Sequence, residues 1–229
     1  MQAGIVAMAI GKSNLSGLLN IFLKSNCPLC DRPTTDEFCC DCTRQIQRCR
    51  LPDANSCLKQ EIPIFVWGNY SGTLKRAIAS LKYDNQPQLA RPLGIWLAQA
   101  WLKSQFAQPE LIVVPIPLHI NKQKQRGYNQ ALLLAQSFCQ VTRLRWQNGL
   151  ERTQDTEAQF KLSPLQRQQN LSMAFSISPK FRLHQPTSQV LLLDDIYTTG
   201  ATARFAAQTL RQQGIAVYGM VAIATSQRQ

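Results

Sequence analysis

Residues 190–202 read VLLLDDIYTTGAT: four apolar residues run into two aspartates, then into hydroxyl and small residues. A carboxylate accepts hydrogen bonds and can hold the paired hydroxyls of a ribose, which makes Asp194 and Asp195 candidate sugar ligands. Thr198, Thr199 and Thr202 offer hydroxyl donors, and Gly200 and Ala201 let a ligand come close to the backbone. If a helix follows, the unpaired N–H groups and partial positive charge of its first turn complete an anion cradle. Carboxylates for a sugar beside a cradle for a phosphate together match a ribose 5-phosphate unit. The plainer reading is an ordinary strand–turn–helix with a capping threonine. No G-x-x-x-x-G-K-S/T occurs, and no G-x-G-x-x-G follows a strand, which disfavours Walker-type and dinucleotide folds.

A second candidate anion site is basic. Lys122, Lys124 and Arg126 follow closely on the prolines 115 and 117. Three cations offset the charge of a diphosphate, and Arg can bind it bidentately; the alternative is a solvated basic loop ahead of a helix. The third candidate is a metal site. Cys27-Pro-Leu-Cys30 is followed after eight residues by Cys39-Cys-Asp-Cys42. Two C-x-x-C knuckles suit tetrahedral zinc, and a filled four-sulfur shell is structural, not catalytic. Redox dithiols and an iron–sulfur cluster are the alternatives. Cys40, Cys49 and Cys57 are further possible ligands or simple thiols, and the spacing of eight cysteines indicates a reducing compartment, the cytoplasm.

The elements that must position these groups show in the hydrophobic pattern. Residues 62–70 and 110–119 read as strands, as do 189–195 and 215–225. Residues 71–83, 91–104, 129–142 and 201–213 read as helices. The strands are continuous apolar runs rather than alternating ones, which indicates a parallel sheet buried on both faces, an α/β fold. Residues 148 to about 170 are polar and aperiodic, long for a structureless connection inside a domain. Residues 15–25 could form a short amphipathic helix. Neither a signal peptide nor a membrane span is expected.

These stretches carry a resemblance. Residues 190–202 resemble the motif with which type I phosphoribosyltransferases bind 5-phosphoribosyl 1-diphosphate (PRPP). Across residues 27–225 the chain resembles the ComF family, also called ComF/GntX-type phosphoribosyltransferase relatives. The carrying residues are the cysteine pairs, LKY at 81–83, VPIPL at 114–118, RGYNQA at 126–131 and DDIYTTGAT at 194–202, in the family's order. The resemblance implies a type I phosphoribosyltransferase fold over residues 61–229, preceded by a helix and a four-cysteine zinc module in residues 1–60. It implies that Asp194 and Asp195 act on the ribose hydroxyls, that 198–202 wrap the 5-phosphate, and that Mg²⁺ sits on the diphosphate and ribose oxygens. Lys122, Lys124 and Arg126 are then expected at the diphosphate, with Lys82 added to this basic group. A lid is expected to contain Arg152, Lys161, Arg167 and Asn170, excluding water from a cationic transition state.

The implied function is transfer of ribose 5-phosphate from PRPP to an acceptor with loss of diphosphate, in a protein linked to natural competence. Only His119 and His184 exist as histidines, and neither stands out as a general base. The acceptor is not named by any motif; its pocket is expected from a hood made by the N-terminal helices. A glutamine amidotransferase is disfavoured, because no glutaminase domain with an N-terminal cysteine is present. The alternative is a non-catalytic factor that senses PRPP or a nucleotide, or binds single-stranded DNA. A net charge of +12 suits anionic partners. Aromatic residues make up only 8%, with no aromatic–basic stacking stretch.

Overall fold

The computed structural model describes residues 25–52, 57–58, 60–153 and 174–227. The described chain opens with a hairpin of β1 (Ser25–Asn26) and β2 (Pro33–Thr34), followed by helix α1 (Cys40–Gln47). Strands β3 (Cys57–Leu58) and β4 (Ile64–Asn69) precede α2 (Gly72–Tyr83) and α3 (Ala90–Leu102). Next come β5 (Ile112–Pro115), α4 (Ile120–Arg126), α5 (Gln130–Thr142) and β6 (Arg145–Trp146). A hairpin of β7 (Leu150–Arg152) and β8 (Phe175–Ile177) leads through α6 (Pro179–Leu183) to β9 (Val190–Tyr197), α7 (Ala201–Arg211) and β10 (Val217–Thr225).

Six of these strands form one sheet in the order β3-β4-β10-β9-β5-β6. All neighbours pair in parallel except β3 with β4. Residues 64–67 of β4 and 190–193 of β9 are buried throughout, as strands covered on both faces must be. On one face Leu191, Leu193 and Val113 pack under α2, α3 and α5; on the other Val190, Leu192 and Val114 pack under α7, Phe175 and Phe181. Helices α3 and α5 touch closely at Gly94, where a Cβ would stand 2.7 Å from that of Ser137.

The cysteine module is joined to this core. Phe38 stacks on Trp96 of α3, which stacks on Trp67 of β4, with centroids 6.1 and 5.9 Å apart. The two units proposed to divide at residue 60 thus share a core, and β3 adds a strand from the N-terminal side of that line to the main sheet.

Four elements differ from the sequence expectation. The basic stretch after β5 is a helix, α4, rather than a loop. It holds no Gly or Pro from Ile120 to Arg126, His119 accepts from the Asn121 N–H, and Gly127 at φ 83° ends it. Residues 150–152 are a strand, not part of an aperiodic loop, because Leu150 and Arg152 pair with Ile177 and Phe175. Strand β9 runs two residues past its expected end at Asp195, to Tyr197, since β10 continues to pair with it as far as Thr225. Of the helix expected over 15–25, Ser25 belongs to β1; its other residues lie outside the described ones.

Candidate functional site

The connections of the sheet place a switch point between β5 and β9. From β5 the chain leaves toward β6 through α5 on one face; from β9 it leaves toward β10 through α7 on the other. Open parallel sheets bind ligands at such points, beyond the carboxyl ends of the strands. Pairing of β5 with β9 stops at Pro115 opposite Leu193, closed by the Ile116 N–H donating to the Leu193 carbonyl at 2.9 Å. Asp194 and Asp195 are the next residues of β9. They remain paired with β10 on one side only, Asp194 lying opposite Ala222.

Successive strand residues point to opposite faces, and the two aspartates meet different surroundings. Asp195 is 3% exposed. Its Oδ2 lies 2.6 Å from the Nζ of Lys82, near the end of α2. Burial pulls the Lys82 pKa down, but Asp195 in contact and Asp194 close by outweigh it, and the ammonium titrates above its ordinary range. Asp194 is half-buried, and its Oδ1 accepts the Asp195 N–H at 2.8 Å. Burial first, and the Asp195 charge second, push the Asp194 carboxyl well up. Lys82 therefore stands against a carboxylate, although the sequence grouped it with the diphosphate cations.

The 198–202 turn follows at the head of α7. Gly200 is the helix N-cap at φ 80° and brings no side chain to the cap. A Cβ there would fall 2.6 Å from the Tyr197 hydroxyl, so backbone angle and space both call for glycine. Thr198 and Thr199 are exposed, and the Ala201 N–H lies 3.4 Å from Thr199 Oγ1. Gln227 Nε2 donates to the Thr198 carbonyl at 2.7 Å, and the Ser226 N–H donates to that of Tyr197 at 3.3 Å. A trans peptide directs its N–H opposite its C=O, so Gln227 fixes which way the Thr199 N–H points. No motif in the sequence signals that role for Gln227.

Beside the carboxylates, Lys82, Lys122, Lys124 and Arg126 line one cleft of about 600 Å³ together with Tyr83. The structure thus brings together all four members of the predicted basic group. Arg126 donates to Gln130, which is 5% exposed, and its guanidinium stands 5.5 Å from the centroid of the Tyr83 ring. Asn129 caps α5 through the Ala131 N–H at 3.0 Å and donates to the Ile116 carbonyl at 3.0 Å. Tyr128 Oη donates to the Leu81 carbonyl at 2.5 Å. The RGYNQA stretch thereby fastens α4 and α5 to β5 and α2. Of the expected lid, Arg152 sits in β7 with its guanidinium 5.6 Å from the Phe175 ring centroid. Lys161, Arg167 and Asn170 lie outside the described residues.

The sulfurs of Cys27, Cys30, Cys39 and Cys42 all lie within 4.8 Å of one another and could hold a metal ion. Four sulfurs about 2.3 Å from one tetrahedral centre stand about 3.8 Å apart, so the donor set and its spacing fit. Cys39 caps α1, and the Cys42 N–H in front of its sulfur holds that thiol down at about 7; burial pushes Cys42 up. Among the described residues, Cys40 and Cys49 are not in this group: Cys40 is exposed, and the Cys49 thiol faces the carbonyls of Gln45 and Ser71. The Cys57 side chain lies outside what is described. No described helix is long and apolar enough to cross a membrane.

No family model matches the chain. Individual relatives do. It is 33% identical over 213 residues to competence protein F of Haemophilus influenzae, covering 87% of this chain and 90% of that protein. It is 30% identical over 207 residues to the DNA utilization protein YhgH of Escherichia coli K12, covering 83% and 86%. Competence protein ComFC of Bacillus subtilis is 28% identical over 189 residues, covering 82% and 72%.

Proposed function

From the premise that this chain belongs to the ComF family, we propose that its switch point binds PRPP and that it serves DNA uptake or utilization as a phosphoribosyltransferase. The observation that carries the reading is the junction of β9 and α7. A carboxylate pair stands at the end of the β5–β9 pairing, a few residues before a helix start capped by Gly200, which brings no side chain of its own. Asp194 and Asp195 would take the ribose hydroxyls, with Lys82 neutralising Asp195. The 198–202 turn would take the 5-phosphate on its amides and hydroxyls. Lys122, Lys124 and Arg126 would offset the charge of the departing diphosphate as C1 becomes positive. Mg²⁺ would arrive with PRPP and neutralise diphosphate charge; the two carboxylates are oxygen donors of the kind it accepts. The four-cysteine site fits zinc in a structural role.

Calorimetric titration of the intact protein with PRPP and Mg²⁺ tests the ligand. Binding should saturate at one site, and replacing Thr198 and Thr199 together by alanine should weaken it at least about tenfold. A flat titration with both PRPP and ribose 5-phosphate would sink the reading. Diphosphate release in an acceptor screen then tests the transfer. A second reading, a single-stranded DNA-binding factor, is favoured by the net charge of +12 and the cation-lined cleft. Strongly salt-dependent DNA binding without any diphosphate release would support it.

A further inference from the structure

Tyr83 is an unusual residue to leave in water. It ends α2, whose Leu74, Ile78 and Leu81 are fully buried, yet it is 75% exposed. Its ring faces the Arg126 guanidinium at 5.5 Å, and Arg126 is held in turn by the buried Gln130. The Tyr128–Leu81 hydrogen bond ties the α4–α5 turn to the end of α2 two residues before Tyr83. Ring and guanidinium are therefore carried by elements bonded to each other, and both border the cleft of about 600 Å³. Lys82, the residue before Tyr83, reaches the carboxylate pair at 2.6 Å.

We infer that Tyr83 and Arg126 form the acceptor subsite, and that the acceptor is a planar heteroaromatic ring with a nitrogen nucleophile, a nucleobase-like compound. The inference rests on the reading that Asp194 and Asp195 hold a pentose phosphate. Ammonia or a small aliphatic amine needs no flat platform and no cleft of this size. A phenol ring beside a guanidinium plane binds π-systems by stacking and cation–π attraction. Arg126 can present its face to the ring while an N–H edge remains for phosphate oxygens. In the transfer, the ring nitrogen's lone pair forms the bond to C1. The C1–O bond to diphosphate breaks with its electron pair leaving on the diphosphate oxygen, and the nitrogen's proton passes to that oxygen or to water. The acceptor surface thus comes from the end of α2 and from α4.

The test compares ribose 5-phosphate with AMP, GMP, CMP and UMP, which share its pentose phosphate and add a ring. Each is titrated into the intact protein. At least one nucleotide should bind about tenfold or more tightly than ribose 5-phosphate, the gain expected of one stacked ring. Tyr83→Ala should erase that gain and leave ribose 5-phosphate affinity unchanged, while Tyr83→Phe and Tyr83→Trp should keep it. If ribose 5-phosphate binds and no nucleotide binds better, the inference is overturned and the pentose reading stands. Retention of the gain in a folded Tyr83→Ala protein overturns it equally. If ribose 5-phosphate itself does not bind, the pentose reading falls and takes this inference with it.

Discussion

Asp194 and Asp195 are consecutive residues, and the fold gives one a cation and leaves the other to bear the cost of burial beside it. Asp195 meets Lys82; Asp194 is pushed up from its ordinary 3.8 by desolvation and by Asp195. A carboxyl raised in the folded state keeps its proton after the unfolded chain has lost it. Stability is therefore fullest below pH 3.8 for this group and falls as pH climbs through the folded value. Asp194→Asn removes the titration and keeps an oxygen for the Asp195 N–H. Urea unfolding at pH 7 should show this variant more stable by about 0.5–2 kcal/mol, with the gain shrinking toward pH 3.5. The same variant should bind ribose 5-phosphate at least about tenfold more weakly, a charged hydrogen bond having been lost. A site residue whose removal stabilises the fold is expected where a ligand, rather than the protein, supplies the missing partners.

At the scale of elements, the junction of β9 and α7 depends on one glycine. Gly200 adopts φ 80°, and the Tyr197 hydroxyl occupies the place its Cβ would need. Gly200→Ala should destabilise the protein by about 1–3 kcal/mol in denaturant titration and weaken ribose 5-phosphate binding. Adding Tyr197→Phe should restore part of the loss, since it clears the nearest contact but not the backbone strain. This junction was legible in the sequence, because an apolar run, small residues and an amphipathic helix are local signals. The end of β9 was not. Its extension past Asp195 to Tyr197 depends on pairing with Ala224 and Thr225 of β10, a distant partner that the local pattern does not name. Helix α4 was missed for a related reason: Asn121 to Arg126 has good helix formers but no apolar face, and none of α4's residues is buried.

For the molecule as a whole, the cysteine module is part of the main core. Cys27, Cys39 and Cys42 are buried in the same cluster as Trp67, Trp101 and Phe138. Stripping a bound metal should therefore disturb more than residues 27–42. A strong chelator is expected to lower the melting temperature by about 10 °C or more and to shift tryptophan emission to the red, through Trp67 and Trp96. The effect should be smaller at pH 6 than at pH 8, because protons compete with the metal for thiolates and the metal contributes less stability there. An unchanged melting curve after verified metal removal would show that the four thiols hold their arrangement without an ion.

Local patterns along the chain carry the buried strands, the helices with one apolar face, the two cysteine knuckles, and the run of acids and small residues at 194–202. Each needs only a few neighbouring side chains to be recognised. Which distant pieces meet depends on the assembled sheet and its two helix layers. The order β4-β10-β9-β5 brings the end of α2 beside β9 and so joins Lys82 to Asp195. It also stands Tyr83 against Arg126 and sets Gln227 behind Thr198. Those contacts follow from how two faces of one sheet were covered, and no spacing along the chain encodes that.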